Sequence, residues 1–478
     1  MKKLIVILAV SCLFTSAWSQ EKNKDYTDAF KLIEVWLEAQ KDFEQLPGLS
    51  AIVIEDQKVL WSGAVGLSNP DKQVKAETST VYSICSISKL FTSVAIMILY
   101  DEGKLRLDDR VDDLLPQFTL EQKFPESGPI TIRSLLTHSS GLPREAAFPY
   151  WTGPEFPFPT RAQVESTLGD QETLYPASTY FQYSNLGLTL LGQIVEEVSG
   201  LPYDTFVRQH ILDPLGLSDT RPELPEQLYG EQLAVGYSAV TRAGAREKVN
   251  FFQANGITPA AGFSSSVEDL GRFASWQFRL RDTTVTEILK PSTLKYMQQV
   301  HWTDPDWKTT WGLGFRIQKG PNGNTWVGHG GSCPGYRSTL ELDLENKRAF
   351  SVMINASGTN PSKYVQGINA IMDQVKASSD ENTAEEIEAL QEYVGYYSEL
   401  PWWSEAYIST WDRNLVVLDL PSDAPGESMT FFKHVEGDTF RRVRDNGEPG
   451  ETLVFERDED GNITRYQRHG NYTKRINR

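Results

Sequence analysis

Cysteine is scarce, three residues in 478, which excludes a disulfide-framed miniprotein and a cysteine-built zinc site. Histidine is nearly as rare, six in all. There is no His-x-x-x-His pair and no H-E-x-x-H, so neither a metal site nor any other cofactor is expected. Positive charge is also short: 46 Lys+Arg face 64 Asp+Glu, a net charge of −18. So acidic a surface repels phosphate backbones and anionic lipid, which argues against nucleic acid and peripheral membrane partners. No G-x-S-x-G elbow and no GK[ST] phosphate loop occurs, against an α/β-hydrolase or a nucleotide enzyme. Past the first twenty residues no apolar run reaches the roughly eighteen that a membrane helix needs, so no transmembrane segment is expected in the mature chain.

What remains is the composition of an ordinary globular protein, 40% apolar and 23% charged, long enough for about three domain-sized units. Residues 1–19 read as a signal peptide. Lys2 and Lys3 form the basic n-region and Leu4 to Phe14 the apolar stretch, and Ala17-Trp18-Ser19 supplies an A-x-S cleavage pattern before Gln20. Cleavage at Ser19–Gln20 would export the chain to the periplasm or the medium. The competing lipoprotein signal, acylated at Cys12, fits less well because Ala9-Val10-Ser11 is a poor lipobox and Cys12 falls inside the apolar run.

Residues 20–375 mix strands and helices. Asp25 to Phe43 has apolar residues at helical spacing, and Gly48 to Gly66 reads as two short strands around Asp56-Gln57-Lys58. Ser86 to Leu99 returns to helix and closes at Gly103. Further helices are expected over Leu186 to Val198, ended by Gly200, and over Tyr203 to Leu212, stopped by Pro214. Strands are expected at Trp311–Gln318, Thr325–Val327, Ser338–Leu344 and Ala349–Ile354, then a helix over Lys363 to Val375. Residues 376–386 (KASSDENTAEE) form a polar linker. Residues 387–478, rich in aromatic and β-branched residues between turns such as Asp460-Gly461, read as a separate all-β domain. A polar boundary of this kind predicts that either part folds without the other.

Three motifs carry chemistry. In Ser86-Ile87-Ser88-Lys89, an S-x-x-K, the amine lies nearly one helical turn beyond the hydroxyl and on the same face. The apolar run behind it would bury the helix and lower the lysine pKa, as a base for a serine nucleophile requires. If Ser86 opens the helix, its free backbone N–H groups would favour a developing oxyanion. Alone, the motif recurs by chance in chains of this length. Tyr183-Ser184-Asn185 places a phenol and a carboxamide just before a helix; a turn with an Asn N-cap is the plainer reading. In Gly328-His329-Gly330-Gly331-Ser332, paired glycines allow close backbone approach to a ligand, and the Ser332 N–H would be a second oxyanion donor. A β-bulge or a tight hairpin accounts for the same run. The dense aromatic and proline loop from Ala147 to Pro159 reads either as an apolar rim to a site or as rings packed on one another.

Taken in order, these motifs resemble the serine β-lactamase and penicillin-binding-protein superfamily, whose signature is S-x-x-K, a middle S-D-N-like triplet and K-T-G. Tyr183-x-Asn185 is similar to the class C-like branch, which includes esterases, D-aminopeptidases and DD-peptidases. Leu135-Leu136-Thr137-His138-Ser139-Ser140-Gly141-Leu142-Pro143 and Pro259-Ala260-Ala261-Gly262-Phe263-Ser264-Ser265 match the habit of that branch, and the β-rich tail resembles an appended lipocalin-like domain. The resemblance implies an α/β fold: an antiparallel sheet flanked by helices, with a mostly helical subdomain inserted between its halves and the catalytic groups in the cleft. It implies Ser86 as nucleophile, Lys89 as base and Tyr183 sharing the proton. Asn185, His329, Gly330, Gly331 and Ser332 would bind the substrate, with the Ser86 and Ser332 N–H groups as oxyanion hole. The reaction would hydrolyse an ester, amide or peptide bond through an acyl-enzyme.

His329 departs from the pattern, standing where lactamases carry the lysine of K-T-G. A neutral imidazole attracts a carboxylate only weakly, so substrates lacking that carboxylate are favoured over penicillins. β-Lactam or peptidoglycan-peptide hydrolysis, and a catalytically silent relative binding cell-wall ligands, stay open as alternatives. Cys85 and Cys333 each flank a proposed oxyanion donor, and certain carbapenem-hydrolysing class A enzymes bridge the same two positions. The resemblance therefore implies a Cys85–Cys333 disulfide, against the alternative of two buried thiols.

Overall fold

The computed structural model describes residues 24–376 and 388–478. The signal peptide expected over 1–19 and nearly all of the linker expected over 376–386 lie outside the described residues.

Strand β1 (Gly48–Glu55) is apolar at every position from Leu49 to Ile54 except Ser50, and it is buried on both faces. Such a strand belongs in the middle of a sheet, not at a solvated edge. It pairs with β2 (Lys58–Asn69) on one side and β11 (Arg348–Ile354) on the other, both antiparallel. The full sheet has nine strands in the order β3 (Val74–Lys75), β2, β1, β11, β10 (Tyr336–Asp343), β9 (Thr325–Cys333), β8 (Arg316–Lys319), β7 (Thr310–Trp311) and β6 (Trp302–Thr303). Its two halves come from residues before 76 and after 301, and the mostly helical segment lies between them in the chain.

Period two then decides which residues face which layer. Leu49, Ala51 and Val53 join one core with helix α1 (Thr27–Phe43) and the Pro361–Asp373 helix. Ile52 and Ile54 point the other way, onto the Val267–Asp282 helix, where Gly271 lets them close in: a Cβ there would stand 3.0 Å from Ile52. Helix α2 (Ser88–Asp101) is buried from Ser88 through Leu99 and forms the centre of the helical part. Helix α3 (Asn185–Ser199) packs against it and ends at Gly200, whose φ of 74° is a left-handed C-cap.

Three elements depart from the sequence expectations. Pro214 does not stop the helix from Tyr203. The chain runs through a π-type turn at Arg208–Leu212, and Pro214 lies in the first turn of Asp213–Leu215, where its missing N–H costs nothing; Gly216 ends it. The strand expected over Trp311–Gln318 is split into β7 and β8 because Leu313 N–H donates to Met297 and Gly314 sits at φ 84°. Helix α2 begins at Ser88, not at Ser86.

The tail is a closed barrel of eight antiparallel strands, β12 (Gly395–Ser398), β13 (Glu405–Trp411), β14 (Asn414–Leu420), β15 (Met429–Glu436), β16 (Thr439–Val443), β17 (Pro449–Arg457), β18 (Ile463–Arg468) and β19 (Asn471–Ile476). Leu415 and Val417 face its interior with Phe432, Phe440 and Phe455. The outward residues of the same strand, Val416, Leu418 and Leu420, are also buried, against Trp36 of α1 and the Pro361–Asp373 helix. Trp36 and Gln40 both donate to the Ser422 carbonyl at 2.9 Å. The polar linker therefore does not mark mechanical independence: the barrel shares a continuous apolar core with the outer helices.

Candidate active site

Ser86 sits on the turn between β4 (Tyr82–Cys85) and α2 and is partly accessible, whereas its neighbours Cys85, Ile87 and Lys89 are fully buried. Cys85 is held at φ 51°, a left-handed conformation that a non-glycine residue adopts at a cost. Strand β9 fixes the other side. A Cβ on Gly331 would stand 2.2 Å from the Ile84 carbonyl and 2.1 Å from Ser338 Oγ, so only glycine lets β9 approach the Ser86 turn. Gly330 carries no such constraint, because the nearest atom to its would-be Cβ is 3.8 Å away. Ser332 follows, exposed, on the strand that ends at Cys333.

Cys85 and Cys333 are bonded, with Cα atoms 5.8 Å apart across 248 residues of chain. In the chain-entropy account a loop that long stabilises by up to about 5 kcal/mol. Unreduced mature protein, denatured and alkylated, should show no reactive thiol by mass spectrometry, and Cys333→Ala should lower the melting temperature. Two alkylatable thiols before reduction would contradict the bond.

Lys89 Nζ lies 3.1 Å from Ser86 Oγ, 2.7 Å from Asn185 Oδ1 and 2.7 Å from the Ala260 carbonyl. Burial holds its pKa well below the ordinary lysine value, opposed by the Glu145 charge. Two of the three contacts are acceptors only. A neutral amine donates its two hydrogens to those and leaves its lone pair for the Ser86 hydroxyl.

The Tyr183 pKa is raised by burial, opposed in part by Ser86, so it stays a phenol. Its ring carries Lys89 Nζ at 4.8 Å and the Arg144 guanidinium at 4.9 Å. His138, itself at φ 57°, lies tilted against the ring at 4.4 Å, and its Nδ1 accepts the Ser184 N–H at 3.1 Å. That bond leaves the proton on Nε2. Ser184, not Asn185, is the N-cap: its Oγ accepts the Gly187 N–H at 2.9 Å.

His329 is 4% exposed, and its Nδ1 donates to the Gly330 carbonyl at 2.6 Å, leaving Nε2 without a hydrogen-bond partner among the described residues. Burial, with Lys89 adding to it, pushes its pKa down to about 3, so the imidazole is neutral at any working pH. Trp311 stands edge-on to it at 5.6 Å.

The structure thus gathers Ser86, Lys89, Tyr183, Asn185, His329 and the glycine pair at one place. Sequence reasoning missed Glu145, which receives the Asn185 Nδ2 at 2.9 Å, and Trp311. The signal available for Glu145 was its position two residues after Pro143, at the end of a motif already singled out. Rings of the Ala147–Pro159 loop pack on one another, with Tyr150 5.0 Å from Phe158 and Trp151 edge-on to Phe158 at 4.9 Å, and Phe158 also stacks on Phe252, outside the loop, at 5.4 Å.

Residues 36–370 match the family model described as Beta-lactamase. Penicillin-binding protein 4* of Bacillus subtilis (strain 168) is 26% identical over 336 residues, covering 67% of this chain and 70% of the relative. Protein flp of Staphylococcus aureus (strain MW2) is 25% identical over 356 residues, covering 72% and 66%. Among solved structures, the octameric penicillin-binding protein homologue from Pyrococcus abyssi superposes with a TM-score of 0.64 at 24% identity, covering 93% of this chain and 99% of that one. A match that long extends over the barrel. A D-stereospecific amidohydrolase from Streptomyces sp. gives 0.58 at 23% identity over 70% of this chain and 97% of that one.

Proposed function

Since its match to the Beta-lactamase family spans residues 36–370, more than half its length, this chain belongs to that family of serine hydrolases, and we propose that it cleaves an ester, amide or peptide bond through an acyl-enzyme on Ser86. Ser86 Oγ attacks the acyl carbonyl and its proton passes to Lys89 Nζ, directly or through the Tyr183 hydroxyl. The oxyanion is taken by the Ser86 and Ser332 N–H groups. The leaving group departs with the proton, and water, deprotonated by the same pair, releases the acid. The observation that carries this reading is the lysine amine whose two hydrogens have fixed acceptors and whose third contact is the nucleophile. A fluorescent phosphonate, followed by peptide mapping, should label Ser86, and a panel of p-nitrophenyl esters, amino-acid anilides and nitrocefin should reveal turnover. No label and no turnover would favour a silent binding relative.

The neutral, buried His329 supports substrates without a carboxylate. His329→Lys should raise nitrocefin turnover relative to a neutral ester by about tenfold, the worth of one charge-assisted hydrogen bond. An unchanged ratio would refute the charge argument. A second reading, hydrolysis of β-lactams or cell-wall peptides, draws support from Arg144, whose side chain is 60% exposed and lies over the Tyr183 ring, where a substrate carboxylate would meet its charge.

Residues 20–375 would be the catalytic domain, of the class C-like branch by its Tyr183-x-Asn185 triplet, and the up-and-down strand order of the barrel supports the lipocalin-like reading of the tail. The basic and apolar segments within residues 1–19 support export, into a compartment where a disulfide persists.

A further inference from the structure

Asn185 lies between a donor and an acceptor that demand opposite ends of its carboxamide. Lys89 Nζ, a donor, stands 2.7 Å from Oδ1, and both Glu145 carboxylate oxygens, acceptors, stand 2.9 Å from Nδ2. Turning the amide over would set N–H against N–H on one side and oxygen against carboxylate on the other. Glu145 is itself held. Its Oε1 accepts from Arg144 Nε at 3.1 Å, and its Oε2 accepts from the hydroxyl of the fully buried Tyr150. Backbone contacts tie the same parts together, because Asn185 N–H donates to the Arg144 carbonyl at 2.7 Å.

We propose that Glu145 is a positioning residue that fixes the Asn185 carboxamide with its oxygen toward Lys89, so that the lysine lone pair is reserved for Ser86. The proposal rests on the serine-hydrolase reading above. Without Glu145 the carboxamide is free to turn its NH2 toward Lys89, where that group would compete with the Ser86 hydroxyl for the amine lone pair. The carboxylate also acts through space. Its charge raises the Lys89 pKa against the lowering by burial, and Arg144 lowers it. The other titratable groups around Lys89 carry no charge: Tyr183 is a phenol, and His138 and His329 are held neutral by burial and by Lys89 itself. Removing the anion therefore lowers the Lys89 pKa, and the amine becomes free at lower pH.

Two variants separate position from charge. In Glu145→Gln the side-chain oxygen still accepts from Asn185 Nδ2 while the charge is gone. The plateau of kcat/KM on a neutral p-nitrophenyl ester should stay within about threefold, and its acidic limb should move down by about one pH unit. Glu145→Leu removes the acceptor as well. The plateau and the rate of phosphonate labelling at Ser86 should then both fall by about a hundredfold. An acidic limb unmoved in Glu145→Gln, or a plateau kept in Glu145→Leu, overturns the proposal. If Glu145→Leu does not fold, the pH profile of Glu145→Gln decides alone, since a purely structural role would leave that profile in place. Wild-type protein that takes no label at Ser86 fails the underlying reading instead, so the two failures are told apart by the unmutated chain.

Discussion

Ser86→Ala should lower kcat/KM on any accepted ester or amide by at least about 10⁴-fold, a loss of about 5.5 kcal/mol of transition-state stabilisation. In the proposed mechanism the hydroxyl forms the acyl bond, and alanine leaves only a methyl group without the attacking oxygen. Lys89→Ala should be nearly as severe. It removes the base and also strands two buried acceptors, Asn185 Oδ1 and the Ala260 carbonyl, which lie 2.7 Å from the amine. Because hydroxyl and amine act on one proton, the double variant should be no worse than either single one. Tyr183→Phe keeps the ring under His138 and removes only the hydroxyl, so a fall of about 10²–10³-fold is expected. Circular dichroism and melting temperature of each variant distinguish lost chemistry from lost fold. Full activity in Ser86→Ala would end the mechanism, and additive losses at Ser86 and Lys89 would show that they serve different steps.

Deleting residues 377–478 should yield a chain that aggregates or melts far below the full protein. The truncation uncovers Trp36 of α1 and the faces that Val416, Leu418 and Leu420 cover. Returning one large apolar side chain to water costs about 1.5–3 kcal/mol, and a handful of these is comparable to the whole stability margin of a domain, about 5–15 kcal/mol. The Trp36 indole N–H and the Gln40 amide also lose the Ser422 carbonyl. Leu418→Glu in the full-length chain tests the same contact without deletion, since it places a carboxylate in the interface while the barrel interior stays intact. It should lower the melting temperature sharply. A truncated chain that is monodisperse and melts with the full protein would restore the independence that the linker composition implies. The ester assay on any soluble truncated fraction reports whether the barrel affects the cleft.

Much of this protein is determined locally. The apolar run from Ala51 to Ile54 is enough to place β1 inside a sheet, and the three-residue step from Ser86 to Lys89 is enough to bring hydroxyl and amine within reach of each other. Gly331 marks a close approach because no other residue lacks a Cβ. These are properties of a few neighbouring residues, and period and spacing express them directly. The Asn414–Leu420 strand, NLVVLDL, also announces burial on both faces by its unbroken apolar centre, though not what covers the second face.

Tertiary structure alone decided the rest. Asn185 lies 96 residues from Lys89 and Ala260 lies 171 away, yet both accept from its amine. Glu145 follows Pro143 by two residues but is one acidic residue among 64, and nothing local says that it meets Asn185. The barrel's seat on α1 depends on which outer face meets which helix. Such contacts are fixed by the path of the chain between elements, whereas composition and periodicity describe each element only relative to its own axis. The separate elements were therefore legible from local pattern and the fold class from the resemblance that the ordered motifs carry, whereas the partners of Lys89 and of the barrel were not, because each is a meeting of surfaces whose sequences carry no record of one another.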